Sequence, residues 1–268
     1  MKEQELRFIG SVPDEYNRLM VPLIFRPYAE EIARRARAIA PRLVLETAAG
    51  TGAVTEALHE AVPDARIIAT DLNEPMLDVA SERVRSDQVG FVVADAQDLP
   101  FEDGSIDLVV CQFGAMFFPD KLRAHAEAHR VLRSGGHYLL AIWDKIERNP
   151  LSDVAQKALI ALFPDDPPLF IRQGPFGYAD PLAIESDLHD AGFDTVDIET
   201  LELRSRSPSA HDAAMAFCHG TPMGVEVEDR EPGSLERAFA AVQEAFDAFE
   251  GPDGIDEPMA AHIVTATK

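Results

Sequence analysis

A run of small residues between a buried strand and a helix is the first feature with chemical meaning. Residues 46–52 read Glu-Thr-Ala-Ala-Gly-Thr-Gly, after the apolar residues 43–45 and before a helical pattern over residues 53–61. In such a strand–loop–helix succession, backbone N–H groups at the helix start point toward a ligand, and large side chains would block its approach. The pattern predicts an anion and nucleoside site, although Gly50 and Gly52 taken alone are also explained by a tight turn.

An acidic residue ends the next apolar run. Asp71 follows residues 66–70 and lies 19 positions beyond Gly52. A carboxylate at this place can accept hydrogen bonds from both hydroxyls of a ribose lying across the switch point of a parallel sheet. The alternative role is to cap the helix that begins at Glu74. With the small-residue loop in place, we favour ribose binding.

Two side chains discriminate between nucleotide ligands. A dinucleotide site requires glycine or alanine three residues after its second loop glycine, but Thr55 stands there. The pyrophosphate of NAD would meet no nearby positive charge, and Glu46 at the loop start would repel it. The same carboxylate suits a ligand with an ammonium group. S-adenosylmethionine, with its ribose, adenine, sulfonium and amino-acid tail, therefore fits better than NAD.

The elements that position these residues follow a repeating order. Up to Trp143, five apolar runs alternate with stretches of helical length, which is the density of a doubly wound parallel sheet. Predicted strands cover residues 43–45, 66–70, 91–94, 106–111 and 138–143. Predicted helices cover residues 27–40, 53–61, 74–85 and 120–132, the last closed by a left-handed glycine cap at residues 134–136.

The pattern changes after Trp143. Residues 151–163 and 181–191 are helical, and the proline-rich residues 164–178 between them are predicted as a functional loop. Two further helices, at residues 209–218 and 234–249, are predicted on either side of an acidic turn. Residues 193–203 and 259–267 complete the chain as a pair of strands.

Charge and composition limit the partners and the compartment. The chain has 24 lysines and arginines against 47 aspartates and glutamates, a formal net charge of −23. Such a surface repels nucleic-acid phosphates and anionic lipid headgroups, so we expect a small-molecule substrate, no nucleic acid and no membrane partner. The oligomeric state is not readable. Only two cysteines, no apolar signal core and no apolar run of about 20 residues favour the cytoplasm.

Several of these segments, in this order, resemble the class I S-adenosylmethionine-dependent methyltransferases, most closely the small-molecule group called ubiquinone-biosynthesis-like or type 11. The resemblance runs from about Arg42 to Trp143. It rests on residues 43–52, Asp71, the triplet Asp95-Ala96-Gln97 and residues 130–136. Two positions depart from the family pattern: Ala48 replaces the first loop glycine, and Ser134 replaces the proline before the double glycine.

The resemblance implies a set of residues that bind the cofactor S-adenosylmethionine and its product S-adenosylhomocysteine. The set is Tyr16, Glu46, Ala48, Gly50, Thr51, Gly52, Asp71, Leu72, Met76, Asp95, Ala96 and Gln112. By resemblance, the loop lines the methionine tail and Asp71 holds the ribose. Leu72 and Met76 flank the adenine, whose edge is read by Asp95 and the Ala96 amide. The backbone at Gln112 lies near the departing methyl group.

No catalytic base and no metal site are assigned. His59, His125, His129, His189 and His262 are expected to be surface or packing residues, and no histidine–carboxylate pair is evident. His219 ends a predicted helix and is the one histidine considered for the substrate side, although catalysis is the less favoured role. We expect residues 19–28 and 164–178 to form two halves of a mobile cover. Tyr16 and Tyr178 belong to this aromatic cover.

These observations predict an α/β protein with a doubly wound, Rossmann-like, seven-stranded sheet, an antiparallel last strand and helical lid insertions. A single methyltransferase domain is expected, divided into an N-terminal cover (1–40), a donor-binding core (41–144), a lid insertion (145–192) and a C-terminal strand pair with a helical insertion (193–268). The predicted activity is methyl transfer to a small molecule by in-line displacement. The alternatives are a nicotinamide-dependent oxidoreductase and a non-catalytic S-adenosylmethionine-binding protein.

Overall fold

A computed structural model describes residues 12–268, which divide into two compact units. The larger unit comprises Tyr28–Asp144, Tyr178–Leu201 and Ala261–Lys268. The smaller unit comprises Lys145–Gly177, Glu202–Ala260 and, at the N-terminus, residues 12–27. Residues 1–11, which form part of the expected N-terminal cover, lie outside the described residues. The single-domain organisation stays a prediction.

A seven-stranded sheet carries the residues expected to bind the donor. Its order is β3-β2-β1-β4-β5-β7-β6. The strands are β1 Leu43–Thr47, β2 Arg66–Asp71, β3 Val89–Val93, β4 Ile106–Gln112, β5 Leu132–Trp143, β6 Thr195–Ser207 and β7 Ile255–Thr267. The first five strands are parallel, and β7 runs antiparallel beside β5 with β6 as its other neighbour. The predicted Rossmann-like sheet with its antiparallel last strand is confirmed.

The central strands are almost continuously apolar because the sheet is buried at its centre. Val44, Leu108 and Leu139, on β1, β4 and β5, are fully buried, as are their strand neighbours Leu45 and Leu140. Strands buried on both faces are typical of parallel sheets covered by helices. The helices of the larger unit are α2 Arg26–Ile39, α3 Ala53–Ala61, α4 Glu74–Arg83, α5 Lys121–Val131 and α8 Pro181–Asp190.

The predicted glycine cap of α5 is wrong. The helix ends at Val131, and Leu132, its cap residue, already has an extended backbone with φ −67 and ψ 136. Strand β5 begins at Leu132 and includes Gly135, whose φ of +71 falls within an irregular stretch of pairing with β4. The double glycine therefore shapes the start of a strand. Pairing with β4 outweighs the local preference of glycine for a helix end.

The smaller unit has an apolar core of its own. Its helices are α1 Val12–Glu15, α6 Pro150–Leu162, α7 Phe170–Gln173, α9 Ala210–His219, α10 Pro222–Arg230 and α11 Leu235–Asp247. Side chains from these helices and from residues 16–25 form the cluster, which includes Met20, Leu23, Leu151, Leu159, Phe217, Val242 and Phe246. Burial of this kind contributes roughly 25 cal/mol per Å² of apolar surface. Phe246 of α11 therefore contributes to this core, and Phe239 of the same helix packs against it.

Two loops predicted from the sequence contain helices. The expected acidic turn between α9 and α11 holds α10, which begins at the Thr221-Pro222 pair; the Thr221 hydroxyl accepts a hydrogen bond from the Met223 N–H. The proline-rich loop holds α7, where the Glu226 carboxylate accepts a hydrogen bond from the Phe170 N–H at 2.9 Å. In both segments, hydrogen bonds to the first N–H groups of the helix stabilise it. The apolar periodicity of the sequence was too weak to predict either helix.

Residues 16–25 form a helix with unusually wide turns. At its end the Arg26 N–H donates to the carbonyl of Val21, five residues back, and α2 continues directly from there. Pro22 lies inside this segment and cannot donate a backbone hydrogen bond, which is a recognised cause of irregular helical turns. The apolar residues before the first strand are thus helical, and Met20 and Leu23 belong to the core of the smaller unit.

Helix length bears on membrane association. Among residues 12–268, α2 is the longest helix with 14 residues. A membrane-spanning helix requires about 20 residues. None of the helices in this described range has the length and apolar character needed to cross a bilayer.

Candidate functional site

Asp71 joins the loop after β1 to the end of β2. The two strands run side by side, with Thr47 in register with Thr70. Asp71 Oδ2 accepts a hydrogen bond from the Gly50 N–H at 2.8 Å, and Oδ1 accepts one from the Asn73 N–H at 2.9 Å. Asn73, and not Asp71, is the cap residue of α4. The carboxylate therefore orients the glycine loop instead of capping the helix.

The loop backbone requires residues without bulky side chains. Ala48, Gly50 and Gly52 have φ values of +53, +55 and +78, in the left-handed region that favours glycine. A Cβ on Gly52 would also lie 2.9 Å from the Cβ of Ala80 on α4. The glycine at position 52 is therefore required by its backbone conformation and by the close approach of α4. Met76 lies beside the loop, its Cε 3.6 Å from the Cβ position of Gly50.

Glu46 is a buried carboxyl group beneath this loop. Its side chain accepts a hydrogen bond from the Thr55 hydroxyl, with 2.6 Å between Oγ1 and Oε2. Burial raises the pKa of Glu46 to about 8; the Thr55 hydrogen bond lowers this pKa, and the nearby charge of Asp71 raises it. Burial also raises the pKa of Asp71, against the lowering effect of the N–H groups of Asn73 and Gly50. The site thus holds two carboxyl groups in a low-dielectric environment.

These contacts disfavour a phosphate ligand. The Gly50 N–H, which would face an anion in a phosphate-binding loop, donates to Asp71 instead. The Asp71 carboxylate would oppose a second negative group, and the buried Glu46 carboxyl offers it no positive charge. Thr55, which departs from the dinucleotide pattern, is occupied by its hydrogen bond to Glu46. The site is suited to a neutral or cationic ligand.

A buried hydroxyl in the glycine loop has no hydrogen-bond partner among the described residues. Thr51 is 1% exposed, and within the described residues its Oγ1 makes no hydrogen bond. An unpaired buried hydroxyl costs free energy, on the order of 1–3 kcal/mol, unless a ligand or water satisfies it. Its position in the glycine loop fits a ligand that brings a polar group. This observation and the acidic side chains fit the cationic amino-acid tail of S-adenosylmethionine.

The next strand ends present apolar surface and a second carboxylate. Leu72 is 66% exposed and Val93, in register with Asp71, is 51% exposed. Asp95 lies two residues further along the chain, half-buried beside the equally half-buried Ala96. Its Oδ1 accepts hydrogen bonds from the backbone N–H and the side-chain amide of Gln97, at 2.8 and 3.1 Å. An exposed apolar edge beside two carboxylates is suited to a heteroaromatic base and its ribose.

The end of β4 is held in an unusual conformation by aromatic packing. Gln112 is the last strand residue, and Phe113 after it has a φ of +54. The Phe113 ring stacks on Trp143 with 3.8 Å between centroids, and Tyr28 packs edge-on against both rings. A non-glycine residue in the left-handed region stores strain that its surroundings must compensate. This aromatic cluster fixes the backbone beside Gln112.

One expected donor-binding residue belongs to the other unit. Tyr16 is half-buried in the smaller unit, where its ring stacks on Phe25 with 5.0 Å between centroids. The remaining expected residues all lie in the larger unit: Glu46, Ala48, Gly50, Thr51, Gly52, Asp71, Leu72, Met76, Asp95, Ala96 and Gln112. The fold brings the ends of β1, β2, β3 and β4, which carry them, to one edge of the parallel sheet. In open α/β sheets this is the edge where ligands bind.

The structure contains a histidine–carboxylate pair that the sequence did not reveal. His262 Nε2, on β7, lies 3.4 Å from Asp144 Oδ1 and 3.1 Å from the Ala179 carbonyl. Its Nδ1 lies 2.9 Å from the Thr200 hydroxyl on β6. Both ring nitrogens thus have partners inside the larger unit. His262 links β7 to β6 and to the residue after β5, and only the folded chain could reveal this.

His125 is also internal. It is fully buried on α5, where its ring lies 5.8 Å from the ring of Tyr138. Burial lowers the pKa of His125 to about 4, with a smaller opposing effect from Asp187 and a lowering effect from Lys121. The imidazole is therefore neutral at physiological pH. Its role is packing between α5 and β5.

Fold and site together define a class of protein. A parallel sheet with a left-handed glycine loop after β1 and a carboxylate at the end of β2 is typical of Rossmann-like folds that bind nucleosides. Residues 45–140 match the family profile described as "Methyltransferase domain". The match is limited to these residues, and the class I resemblance seen in the sequence is confirmed for them.

Curated relatives share this part of the chain. A demethylmenaquinone methyltransferase of Deinococcus radiodurans is 36% identical over 129 residues, which cover 47% of this chain and 54% of that protein. One of Thermus thermophilus is 39% identical over 103 residues, covering 38% and 47%. The chain thus spans about half the length of the curated relatives it matches.

Solved structures show the same fold over a longer stretch. The YcgJ protein from Bacillus subtilis has a TM-score of 0.60 at 18% identity, covering 90% of this chain and 98% of that one. A SAM-dependent methyltransferase from Aquifex aeolicus has a TM-score of 0.54 at 20% identity, covering 71% and 92%. At these identities the similarity concerns the fold.

Proposed function

We propose that the protein transfers a methyl group from S-adenosylmethionine to a small-molecule acceptor. The observation that supports this most is that the family match and the expected donor-binding residues fall on the same part of the chain. The methyltransferase match covers residues 45–140, and all the expected donor-binding residues except Tyr16 lie within those bounds. The buried, unpaired Thr51 hydroxyl and the uncompensated carboxyls of Glu46 and Asp71 suit the tail and ribose of this donor.

The proposed contacts use exposed apolar surface and hydrogen-bonding groups that are unpaired or weakly paired among the described residues. In Asp71, Oδ2 accepts one backbone N–H, from Gly50, whereas Oδ1 accepts the backbone N–H of Asn73 and, at 3.4 Å, its side-chain amide. Each carboxylate oxygen can accept two hydrogen bonds, so one ribose hydroxyl donates to Oδ2 and the second replaces the long Asn73 amide contact on Oδ1. Leu72 and Val93 provide apolar surface for the adenine, and Asp95 accepts a hydrogen bond from its amino group. The Thr51 hydroxyl forms a hydrogen bond with the amino-acid tail of the donor.

Catalysis in this proposal consists mainly of alignment. When bound, S-adenosylmethionine supplies a methyl group that is already activated by the sulfonium charge. The chain orients an acceptor toward that group and excludes water, which accounts for large rate effects in such reactions. The strained Phe113, held by Trp143 and Tyr28, keeps the backbone at Gln112 in place for this alignment.

We propose that residues 19–28 and 164–178 cover the acceptor during transfer. Both segments carry aromatic and aliphatic side chains, and closure of such segments expels water and confines a substrate. Leu19, Ile24, Phe170 and Phe176 are only partly buried in the smaller unit, which leaves apolar surface for another contact.

We also propose a cytoplasmic location, which the composition of the chain favours.

Calorimetry on the full chain tests the donor. We expect S-adenosylmethionine and S-adenosylhomocysteine to bind at one site per chain, and NAD not to compete. Binding of NAD in their place would favour the oxidoreductase alternative and overturn the proposal. Native mass spectrometry of the purified protein provides a second readout of a retained ligand.

A transfer assay tests the activity. The donor carries an isotopic label in its methyl group, and the acceptors are amines, phenols, carboxylates and a demethylated naphthoquinol. The naphthoquinol is included because the curated relatives carry that type of activity in their names. Label recovered in an acceptor supports the proposal. Tight donor binding with no label in any acceptor class would favour the non-catalytic alternative.

A further inference from the structure

We propose that Glu46 couples occupation of the donor site to the release of a proton. In the ligand-free protein the Glu46 carboxyl holds its proton, and it ionises when a cationic ligand enters. The proposal rests on the proposed function, because it assumes that the ligand is S-adenosylmethionine. The reaction is an exchange: the ligand binds as a cation, the carboxyl becomes a carboxylate, and one proton passes to solvent.

The position of Glu46 is the first argument. It lies on β1 opposite Ala69 of β2, and only 2% of its surface is exposed. Its single side-chain hydrogen bond in the described part of the chain is the one from Thr55. Moving a carboxylate out of water without a counter-charge is strongly unfavourable, and such groups keep their proton instead.

The groups around Glu46 supply no counter-charge. From β2 it faces Asp71, whose negative charge opposes a second one nearby. From β4 it faces Cys111, a thiol whose pKa burial raises to about 11 and which therefore stays neutral. From α3 it faces the neutral Thr55. Within residues 12–268, no lysine, arginine or histidine forms an ion pair with Glu46 or Asp71.

The proposed ligand supplies the missing charge. S-adenosylmethionine carries an ammonium group and a sulfonium, whereas S-adenosylhomocysteine carries the ammonium alone. An opposite charge within about 4–6 Å favours the ionised form of a carboxyl. Glu46 at the start of the loop is the group that such a charge would ionise. The methylated donor should therefore expel the proton more completely than the product does.

Proton release has a thermodynamic consequence. If binding releases a proton, affinity for the donor increases with pH by at most tenfold per pH unit, up to the pKa of the free carboxyl. Since that pKa is about 8, the increase extends through neutral pH. The preference for donor over product increases in the same range. A change in cytoplasmic pH would then shift the occupancy of the site.

The test is calorimetry of the full chain with S-adenosylmethionine in two buffers of equal, neutral pH and different ionisation enthalpies. The difference in apparent heat gives the number of protons released. We expect most of one proton per site from the wild-type protein. The α-amino group of the ligand titrates at a pKa of about 7.7–8.0, so Glu46→Gln provides the baseline to be subtracted. In that variant the release from Glu46 should vanish, and donor binding should be weaker but still measurable, because the loop, Asp71 and Asp95 are retained.

Two further variants sharpen the result. Glu60→Gln removes an exposed carboxyl from the same helix, α3, as Thr55 and should leave proton release unchanged. Thr55→Val removes the hydrogen bond that lowers the pKa of Glu46, so the pH midpoint of release should move upward. This variant retains Glu46 and serves if Glu46→Gln does not fold, which thermal melting will show.

The outcomes separate this inference from the proposed function. Equal proton release from wild type and Glu46→Gln, with donor binding intact, overturns the role of Glu46 alone. Failure of the wild-type protein to bind S-adenosylmethionine overturns the proposed function. The free carboxyl is then examined by infrared spectroscopy: a protonated-carboxyl band at neutral pH that is lost in Glu46→Gln supports the proton on Glu46, and its absence in wild type contradicts it.

Discussion

The methyl group of Ala48 fills the space into which a side chain on Gly114 would project. A Cβ built on Gly114 would overlap the Cβ of Ala48 and would lie 2.9 Å from Cys111 Sγ. Ala48 has a φ of +53, at the position where the class I pattern has glycine. The loops that follow β1 and β4 are thus packed against each other through one small residue on each side.

This relationship predicts a non-additive pair of substitutions. Gly114→Ala should destabilise the fold by about 1–3 kcal/mol through overpacking. Ala48→Gly relieves a left-handed alanine, whose strain is about 1–2 kcal/mol, in both backgrounds. It also removes the Cβ that a side chain at position 114 would overlap, so the double variant should lose less stability than the two single changes added together. Denaturant unfolding of the four proteins measures the coupling. Gly90→Ala is the control, because a Cβ there meets nothing within 4 Å. If the changes in the free energy of unfolding for Gly114→Ala and Ala48→Gly are strictly additive, the proposed packing of the two residues is wrong.

Asp71→Ala should weaken donor binding strongly. The carboxylate is expected to make two charge-assisted hydrogen bonds to the ribose, each worth about 1.5–3 kcal/mol. It also holds the Gly50 N–H, so a small loss of thermal stability is expected as well. Calorimetry with S-adenosylmethionine measures the affinity. Asp78→Ala removes an exposed carboxyl on α4 and should leave donor affinity unchanged. Unchanged affinity in a folded Asp71→Ala protein would show that Asp71 is not part of the site.

Asp95 distinguishes recognition of the base from a structural role. Asp95→Asn retains an oxygen acceptor, both for the Gln97 N–H and for an adenine amino group, whereas Asp95→Ala retains none. Donor affinity should therefore fall less in Asp95→Asn than in Asp95→Ala. Melting temperature reports the hydrogen bond to Gln97 separately. If both variants lose affinity equally, Asp95 acts only by supporting the loop.

The pH dependence of stability should change in Glu46→Gln. Burial raises the pKa of Glu46 in the folded protein to about 8, above its ordinary value of 4.5. Between these values the folded state binds more protons than the unfolded one, so stability decreases as pH rises and the loss is complete above pH 8. The difference amounts to a few kcal/mol. Unfolding at pH 5 and pH 9 should show this decrease in wild type and a smaller one in the variant.

The proposed cover predicts a local response to ligand. Amide exchange in residues 19–28 and 164–178 should slow when S-adenosylhomocysteine binds and speed up when the ligand is absent. Helix α11 in the same unit provides the internal control, because Val242 and Phe246 are already fully buried. If exchange in both segments is indifferent to ligand, they are core residues of the smaller unit and no cover forms.

Local patterns in the sequence were sufficient for much of the larger unit. The apolar runs predicted β1, β2 and β4 to within about two residues, and α3 with its observed bounds, Ala53–Ala61. The loop at residues 46–52 and Asp71 were found because a sheet built from such units places both at one edge. These features depend on residues close together in the chain, so the apolar periodicity of the sequence was sufficient to predict them.

Tertiary contacts decided the rest. The raised pKa of Glu46 depends on burial and on Thr55, Asp71 and Cys111, which approach it only when β1 lies between β2 and β4. His262 was expected to be a surface or packing residue, but its partners come from three distant segments. Helix α5 ends at Val131 because β5 pairs with β4 from Leu132 onward. Burial and electrostatics are properties of neighbours in space, so the sequence supplied the groups and the fold determined their charge.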